Sequence, residues 1–383
     1  MDFRASKKWN RKQEPDLGLF ITIFFLIGLG VAMIYSSSAV MALKNYNDSF
    51  YFLKKQLLWL ILGFGVLLFF QEIDYRQYLK HTKLMLLISF FLLIAVLVPG
   101  VGHTVKGSVR WLGYGPIKFQ PSEFVKIFMV IYLVKVFAAE ERINQVIQLL
   151  IPMIVLGVMF ILIMMQPDFG TAVDLLILSV FILFVSGFPF FYIFTLFIIS
   201  IPMFYLLVYQ VDYRRERLLA FLDPWQDRFG SGYHIIQSFL AFKNGGFWGS
   251  GLGYGTQKIK RLPEPHTDFI FAVLAEEAGL LGTVLLVLLF AVVFWRGLII
   301  ALKAPDDFGK LLAIGLTLLV VGQAFINMGV VTGSLPTTGI PLPFISYGGS
   351  SLLSNMMAIG ILLNISRYRL EGEVNFKLRS DWA

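Results

Sequence analysis

Residues 269–297 read FIFAVLAEEAGLLGTVLLVLLFAVVFWRG, an apolar run long enough to cross the roughly 30 Å hydrocarbon core of a bilayer, for which about 20 helical residues suffice. Working outward, comparable runs lie at 17–36, 53–70, 84–99, 122–139, 149–165, 170–187, 190–209, 311–332 and 350–366, ten in all. In a chain of 383 residues with 57% hydrophobic and only 15% charged side chains, that pattern excludes a soluble domain. The ten-residue alternating segments of an outer-membrane barrel are missing as well. The fold expected is an all-α integral membrane protein with about ten transmembrane helices. A single polytopic domain should fill 17–366, between a basic tail at 1–16 and a second tail at 367–383. The first run follows Arg4, Lys7, Lys8, Arg11 and Lys12, as a secretory signal would, but it exceeds the 7–15 apolar residues usual in a signal and reads as the first helix.

Lys and Arg in the short loops set the orientation. With ten spans both ends of the chain share one side, and the short segments on that side carry sixteen Lys and Arg against six on the other. Both termini are therefore expected in the cytoplasm. One long segment remains on the outer side, 210–268, between the seventh and eighth spans. Phe221, Trp225, Phe239, Phe247 and Trp248 make it apolar enough to lie on the membrane surface or line a groove. The absence of cysteine excludes disulfides, thiolate nucleophiles and Cys-ligated metals, and His81, His103, His234 and His266 show no ligand spacing. With 32 Lys and Arg against 24 Asp and Glu, the net charge of +8 points to an anionic partner: lipid headgroups, phosphate or diphosphate, or nucleic acid.

Residues able to carry chemistry crowd the outer ends of the even-numbered spans, where helix N-termini present positive dipole ends. The eighth span opens with Glu264, His266 and Asp268. Asp268 suits a helix cap and equally a general base. Glu276 and Glu277 follow about 12 Å deeper at 1.5 Å per residue, with Glu276 placed to border one cavity with Asp268 and Glu277 turned away. Before the fourth span come Lys106, Arg110, Trp111, Lys118 and Gln120, and within its first turns Glu123 and Lys126. These two can pair at i, i+3, or Arg110 and Lys126 can capture a diphosphate while Trp111 offers a flat face to a sugar or lipid. Asp168 can cap the sixth helix, and Ser346 lies in the turn before the tenth. The glycines at 245, 246, 249, 251, 253 and 255 lack the strand and crossover helix of a dinucleotide site. A tight loop explains them, with a backbone phosphate cradle as the alternative.

Four stretches in order, VRWLGYGPIKFQPSEFVK (109–126), QPDFGT (166–171), LPEPHTDFIFAVLAEE (262–277) and TGIPLPFISYGGSS (338–351), resemble the SEDS family of FtsW, RodA and SpoVE proteins. The resemblance covers all but about 15 residues at each end. It implies a bacterial cytoplasmic (inner) membrane enzyme that polymerises lipid II, an undecaprenyl-diphosphate disaccharide pentapeptide, into β-1,4-linked glycan with inversion. It places the family's catalytic aspartate on Asp268, as general base. Arg110 and Lys126 would neutralise the leaving diphosphate, Glu123 would anchor Lys126, and Trp111, Gln120, Glu264, His266 and Ser346 would complete the substrate site. A cofactor is not required, although a divalent cation (Mg²⁺ or Mn²⁺) on Asp268 and Glu264 would fit the chemistry. The implied partners are a class B penicillin-binding protein transpeptidase and the division or elongation machinery, with no nucleic acid. RRERLLAFLDPWQDRFGSGYHIIQS (214–238) looks more like FtsW and SpoVE than RodA.

Two rival readings come from other classes. A lipid II flippase needs a polar path through the membrane and a site near its midplane, whereas the ionisable residues here gather in the outer third, with Glu276, Glu277 and Lys135 deeper. A scaffold that only recruits a transpeptidase leaves the outer acids and cations without a task.

Overall fold

The computed structural model describes residues 13–105, 107–114, 117–138, 145–260, 262–263 and 265–368. Helices α1 (Leu17–Tyr46), α2 (Tyr51–Glu72) and α3 (Gln77–Leu97) lead into three strands, β1 (His103–Val105), β2 (Ser108–Tyr114) and β3 (Ile117–Phe119). Then come α4 (Pro121–Phe137), α5 (Gln145–Met165), α6 (Phe169–Val185) and α7 (Phe190–Phe204), which continues as a π-turn over Tyr205–Tyr209. Short helices α8 (Asp212–Leu222), α9 (Tyr233–Gly245) and α10 (Gln257–Lys260) precede the long α11 (Ile270–Lys303), α12 (Asp307–Val331) and α13 (Gly349–Ser366).

Helices α1–α7 and α11–α13 fall on the ten apolar runs. Eight of them are long and apolar enough to cross a membrane. The other two, α4 and α6, have 17 residues each, and α4 carries Glu123, Lys126 and Lys135. Local chemistry sets the ends: Asp16 caps α1 through Leu19 N–H at 2.8 Å, Pro121 opens α4, and Asp306 caps α12 through Gly309 N–H at 2.7 Å. Burial runs from α7 at the periphery to α13 at the centre, whose most apolar window is 89% buried against 6% for α7. The central helix packs on α2, α4, α11 and α12.

The all-α expectation needs a correction, because the protein is mostly helical with a small antiparallel sheet in the order β1-β2-β3. Residues 103–119 alternate short β-branched and aromatic runs with glycine, and Gly107, at φ +80°, makes the β1–β2 turn. The segment 210–268 is built from α8–α10 rather than irregular chain, with α9 lying along α11. Phe239 packs against Gly333, while Trp225, Phe247 and Trp248 stay exposed.

Helix α11 is not straight. Gly279, at φ +65° and ψ −160°, interrupts it, and the residue-245 to 255 loop wraps the break. Leu280 N–H donates to Gly246 O at 3.0 Å, Ser250 N–H to Glu276 O at 2.9 Å and Gly251 N–H to Glu277 O at 3.0 Å. Gly249, at φ +81°, lies so close to Glu277 O that a β-carbon would collide with it.

Candidate functional site

Asp268 lies in the turn 265–269 ahead of α11, half-buried. The helix begins at Ile270 with Phe269 in the N-cap position and no side chain capping there, so the simple cap offered by the sequence is not what the turn builds. Instead, three consecutive backbone carbonyls of the turn are each held by a donor from elsewhere. Tyr347 N–H donates to His266 O at 2.8 Å, Ser346 Oγ–H to Thr267 O at 2.6 Å, and the Asn327 amide to Asp268 O at 2.9 Å. Ser346 Oγ in turn accepts from Leu342 N–H at 2.9 Å. His266 is buried, with its ring 4.5 Å from Phe52 and 5.7 Å from Tyr347. Burial pushes the Tyr347 phenol up to about 12, so it remains an O–H at working pH.

The wall beside Asp268 is the loop before α13. A β-carbon on Gly339, whose φ is +77°, would sit 3.6 Å from Asp268 Oδ2. On the far side of the same stretch, Gly170 at the start of α6 comes against Thr338 O too closely for any side chain. The start of α6 and the Asp268 turn therefore share one wall.

Asp168 is 3% exposed and does more than cap α6 through Thr171 N–H at 3.4 Å. It receives Arg110 Nη1 at 3.3 Å and Gln120 Nε2 at 2.7 Å. Arg110 also donates from Nε to Ser108 Oγ at 2.8 Å, yet its side chain stays 30% exposed. Trp111, opposite His103 in the sheet, is half-buried. Gln120 N–H reaches Ser350 Oγ, in the first turn of α13, at 2.8 Å. Thus the sheet, the start of α6 and the start of α13 bring Arg110, Gln120 and Asp168 into one network.

Lys126 is fully buried, 3.2 Å from Glu123 Oε2, the anchor expected for it, and 3.3 Å from Asp174 Oδ2. Ser354 Oγ donates to Glu123 at 3.3 Å and Gln323 Nε2 to Asp174 at 3.2 Å. Sequence reasoning missed Asp174, although an aspartate inside the apolar run of α6 with a lysine inside α4 is itself a signal, because charges at that depth need partners. It also missed Asn327 on α12, which carries no charge to mark it.

Glu276 is turned to the segment ahead of α10. It is 1% exposed and accepts from Thr256 N–H at 2.9 Å, Gln257 N–H at 3.1 Å and Thr256 Oγ at 3.0 Å. Glu277 pairs with buried Lys258 and accepts from Ser36 Oγ at 2.7 Å. The glycine loop spends N–H groups at 250 and 251 on the α11 backbone, as a structural loop would. Glu264 and Lys106 lie outside the described residues, as do 1–12 and 369–383. Among the described residues no three His, Asp or Glu side chains cluster as a metal site. Of the two carboxylates named for a cation, Asp268 is described and Glu264 lies outside the described residues.

A family model described as "Cell cycle protein", that of FtsW, RodA and SpoVE, matches residues 17–371. Stage V sporulation protein E of Bacillus subtilis (strain 168) is 44% identical over 362 residues, 94% of this chain and 98% of that protein. A protein of Geobacter sulfurreducens named as probable peptidoglycan glycosyltransferase FtsW is also 44% identical, over 94% of this chain and 97% of its own. Among solved structures, a chain from a peptidoglycan synthase complex that coordinates polymerization and crosslinking superposes with a TM-score of 0.77 at 28% identity, covering 94% of this chain and 99% of that one. The rod shape determining protein RodA of Thermus thermophilus follows at 0.70 and 26%, over 94% and 98%. With the ten helices, the four motif stretches and these matches in agreement, the chain belongs to the FtsW, RodA and SpoVE family of cell cycle proteins.

Proposed function

We propose that this protein is an inverting glycosyltransferase that polymerises lipid II into β-1,4-linked glycan at the outer face of the bacterial cytoplasmic membrane. The observation that carries the reading is the Asp268 turn, a half-buried carboxylate whose backbone is fastened at three successive carbonyls. Its support is the name, probable peptidoglycan glycosyltransferase, carried by FtsW relatives at 44% identity over 94% of the chain. The basic bias of one set of loops supports ten spans with both ends in the cytoplasm, which puts Asp268, Arg110 and the 210–268 segment outside.

In this mechanism Asp268 accepts the proton of the acceptor sugar's 4-hydroxyl as its oxygen attacks C1 of the donor. The new C1–O bond forms as the bond from C1 to the diphosphate oxygen breaks, and the electron pair leaves with the diphosphate. A base within hydrogen-bond reach contributes about 10²- to 10⁴-fold. Diphosphate needs no proton to depart if its charge is met, and Arg110, part-exposed and aimed by Asp168 and Ser108, offers the guanidinium for that. Trp111 follows Arg110 on the same strand and offers a flat ring for a sugar or lipid segment. Lys126 acts from the interior, keeping α4 and α6 together.

Likeness to a chain of a synthase complex that couples polymerization to crosslinking supports a class B penicillin-binding protein as partner. The division machinery is the expected setting, since the 214–238 stretch resembles FtsW and SpoVE. The test is glycan synthesis from purified lipid II by the detergent-solubilised protein with its transpeptidase, comparing wild type with Asp268→Asn. A folded, partner-bound variant that polymerises about 10²- to 10⁴-fold more slowly is expected. Polymer at near the wild-type rate removes Asp268 from the chemistry, and no polymer from wild type removes the polymerase reading.

A further inference from the structure

Asn327 lies near the C-terminal end of α12 and is 1% exposed. Its two amide hydrogens go to two different parts of the site: one to Asp268 O at 2.9 Å, the other to Ile340 O at 2.8 Å. Ile340 follows Gly339, the residue that faces Asp268 Oδ2. One amide therefore holds both the backbone of the carboxylate residue and the wall opposite the carboxylate. Of the three donors on the 266–268 carbonyls, those from Tyr347 and Ser346 belong to the loop before α13, and Asn327 alone belongs to a long helix.

The residue type fits the task closely. Two carbonyls in a dry interior need two N–H donors from one short side chain without a charge, which only a primary amide supplies. The arrangement leaves Asn327 Oδ1 buried without a hydrogen-bond partner, a destabilising feature that the two donations outweigh. Leucine at this position would strand both carbonyls, and aspartate would set oxygen against oxygen at each.

We propose that Asn327 is a positioning residue for Asp268, fixing the distance between the carboxylate and the Gly339–Ile340 wall so that the acceptor hydroxyl meets its base in line with the donor carbon. This rests on the polymerase reading above. Asn327 makes no contact with the sugar in this role, so it governs the rate of the bound complex rather than its formation. A displacement of about 1 Å at a reacting group is sufficient for a loss near 10²-fold.

The experiment measures lipid II polymerisation by the full-length protein with its transpeptidase partner for wild type, Asn327→Leu, Asn327→Ser and Asn327→Asp, each alone and combined with Asp268→Asn. Thermal melting and partner co-purification report on folding. The expected result is a kcat lower by about 10- to 100-fold in Asn327→Leu and Asn327→Asp with KM within about twofold, and an intermediate kcat in Asn327→Ser, which keeps one donor. Added to Asp268→Asn, the Asn327 substitutions should cost nothing further, because the group they position is already gone. A folded Asn327→Leu protein at the wild-type rate overturns the proposal, as does a loss confined to KM or an equal loss in the Asp268→Asn background. If Asn327→Leu fails to fold, Asn327→Ser decides by the same criteria. Failure of the polymerase reading looks different: wild type makes no polymer, or Asp268→Asn makes it freely.

Discussion

The polar interior holds its acids in two ways. Around Lys126, two carboxylates from α4 and α6 close on one ammonium, all three nearly inaccessible, and serine and glutamine finish the shell. Asp268 is half-buried, and the backbone of its turn is fastened at three successive carbonyls. The first arrangement ties two helices through buried charge, whereas the second fixes a turn through its backbone carbonyls. The contrast separates a cluster that holds helices together from a turn held through its own backbone.

The sharpest way to break that comparison is at Asp268 itself. Asp268→Asn should lower polymerisation by about 10²- to 10⁴-fold in a glycan gel assay while the melting temperature stays within about one degree of wild type. A large drop in melting temperature would make Asp268 another structural acid. Lys126→Met should do the reverse. Two buried carboxylates would be left facing each other, at about 3–5 kcal/mol in stability, and neutralising them with Glu123→Gln and Asp174→Asn should restore much of the melting temperature. If Lys126→Met keeps its stability and loses polymerisation, the lysine meets substrate and the two clusters are not distinct. Arg110→Ala lies between them and should slow lipid II turnover about 10-fold, with Arg110→Lys intermediate because a point charge replaces a fork. At the other end of α1, Arg296 reaches the buried cap Asp16 at 2.9 Å. Its side chain is about one-third exposed. Arg296→Met should therefore cost only about 1–2 kcal/mol in unfolding and leave turnover unchanged.

The long apolar runs were readable because the bilayer imposes a length on every span, and all ten coincide with helices. The four motif stretches were readable as parts of one surface because alternate helices begin on it. Other features depend on contacts between distant residues. Nothing near Lys126 in sequence names Asp174 as its second partner, 48 residues away, and Asn327 binds a carbonyl 59 residues before it. The helical wheel drawn from Asp268 through Glu276 assumed that α11 begins at Asp268, whereas Asp268 precedes the helix and Gly279 breaks it beyond Glu277. The sheet at 103–119 escaped because strands of 3, 7 and 3 residues are too short to show a period against an apolar background.

The donors that secure the 266–268 carbonyls come from Asn327, Ser346 and Tyr347, all later in the chain than the turn they hold. Synthesis and insertion proceed from the amino end, so Asp268 enters the membrane with α11 before any of its fasteners exist. The turn is completed only when the last loop arrives, and a nascent chain that ends at α12 lacks two of its three carbonyl donors.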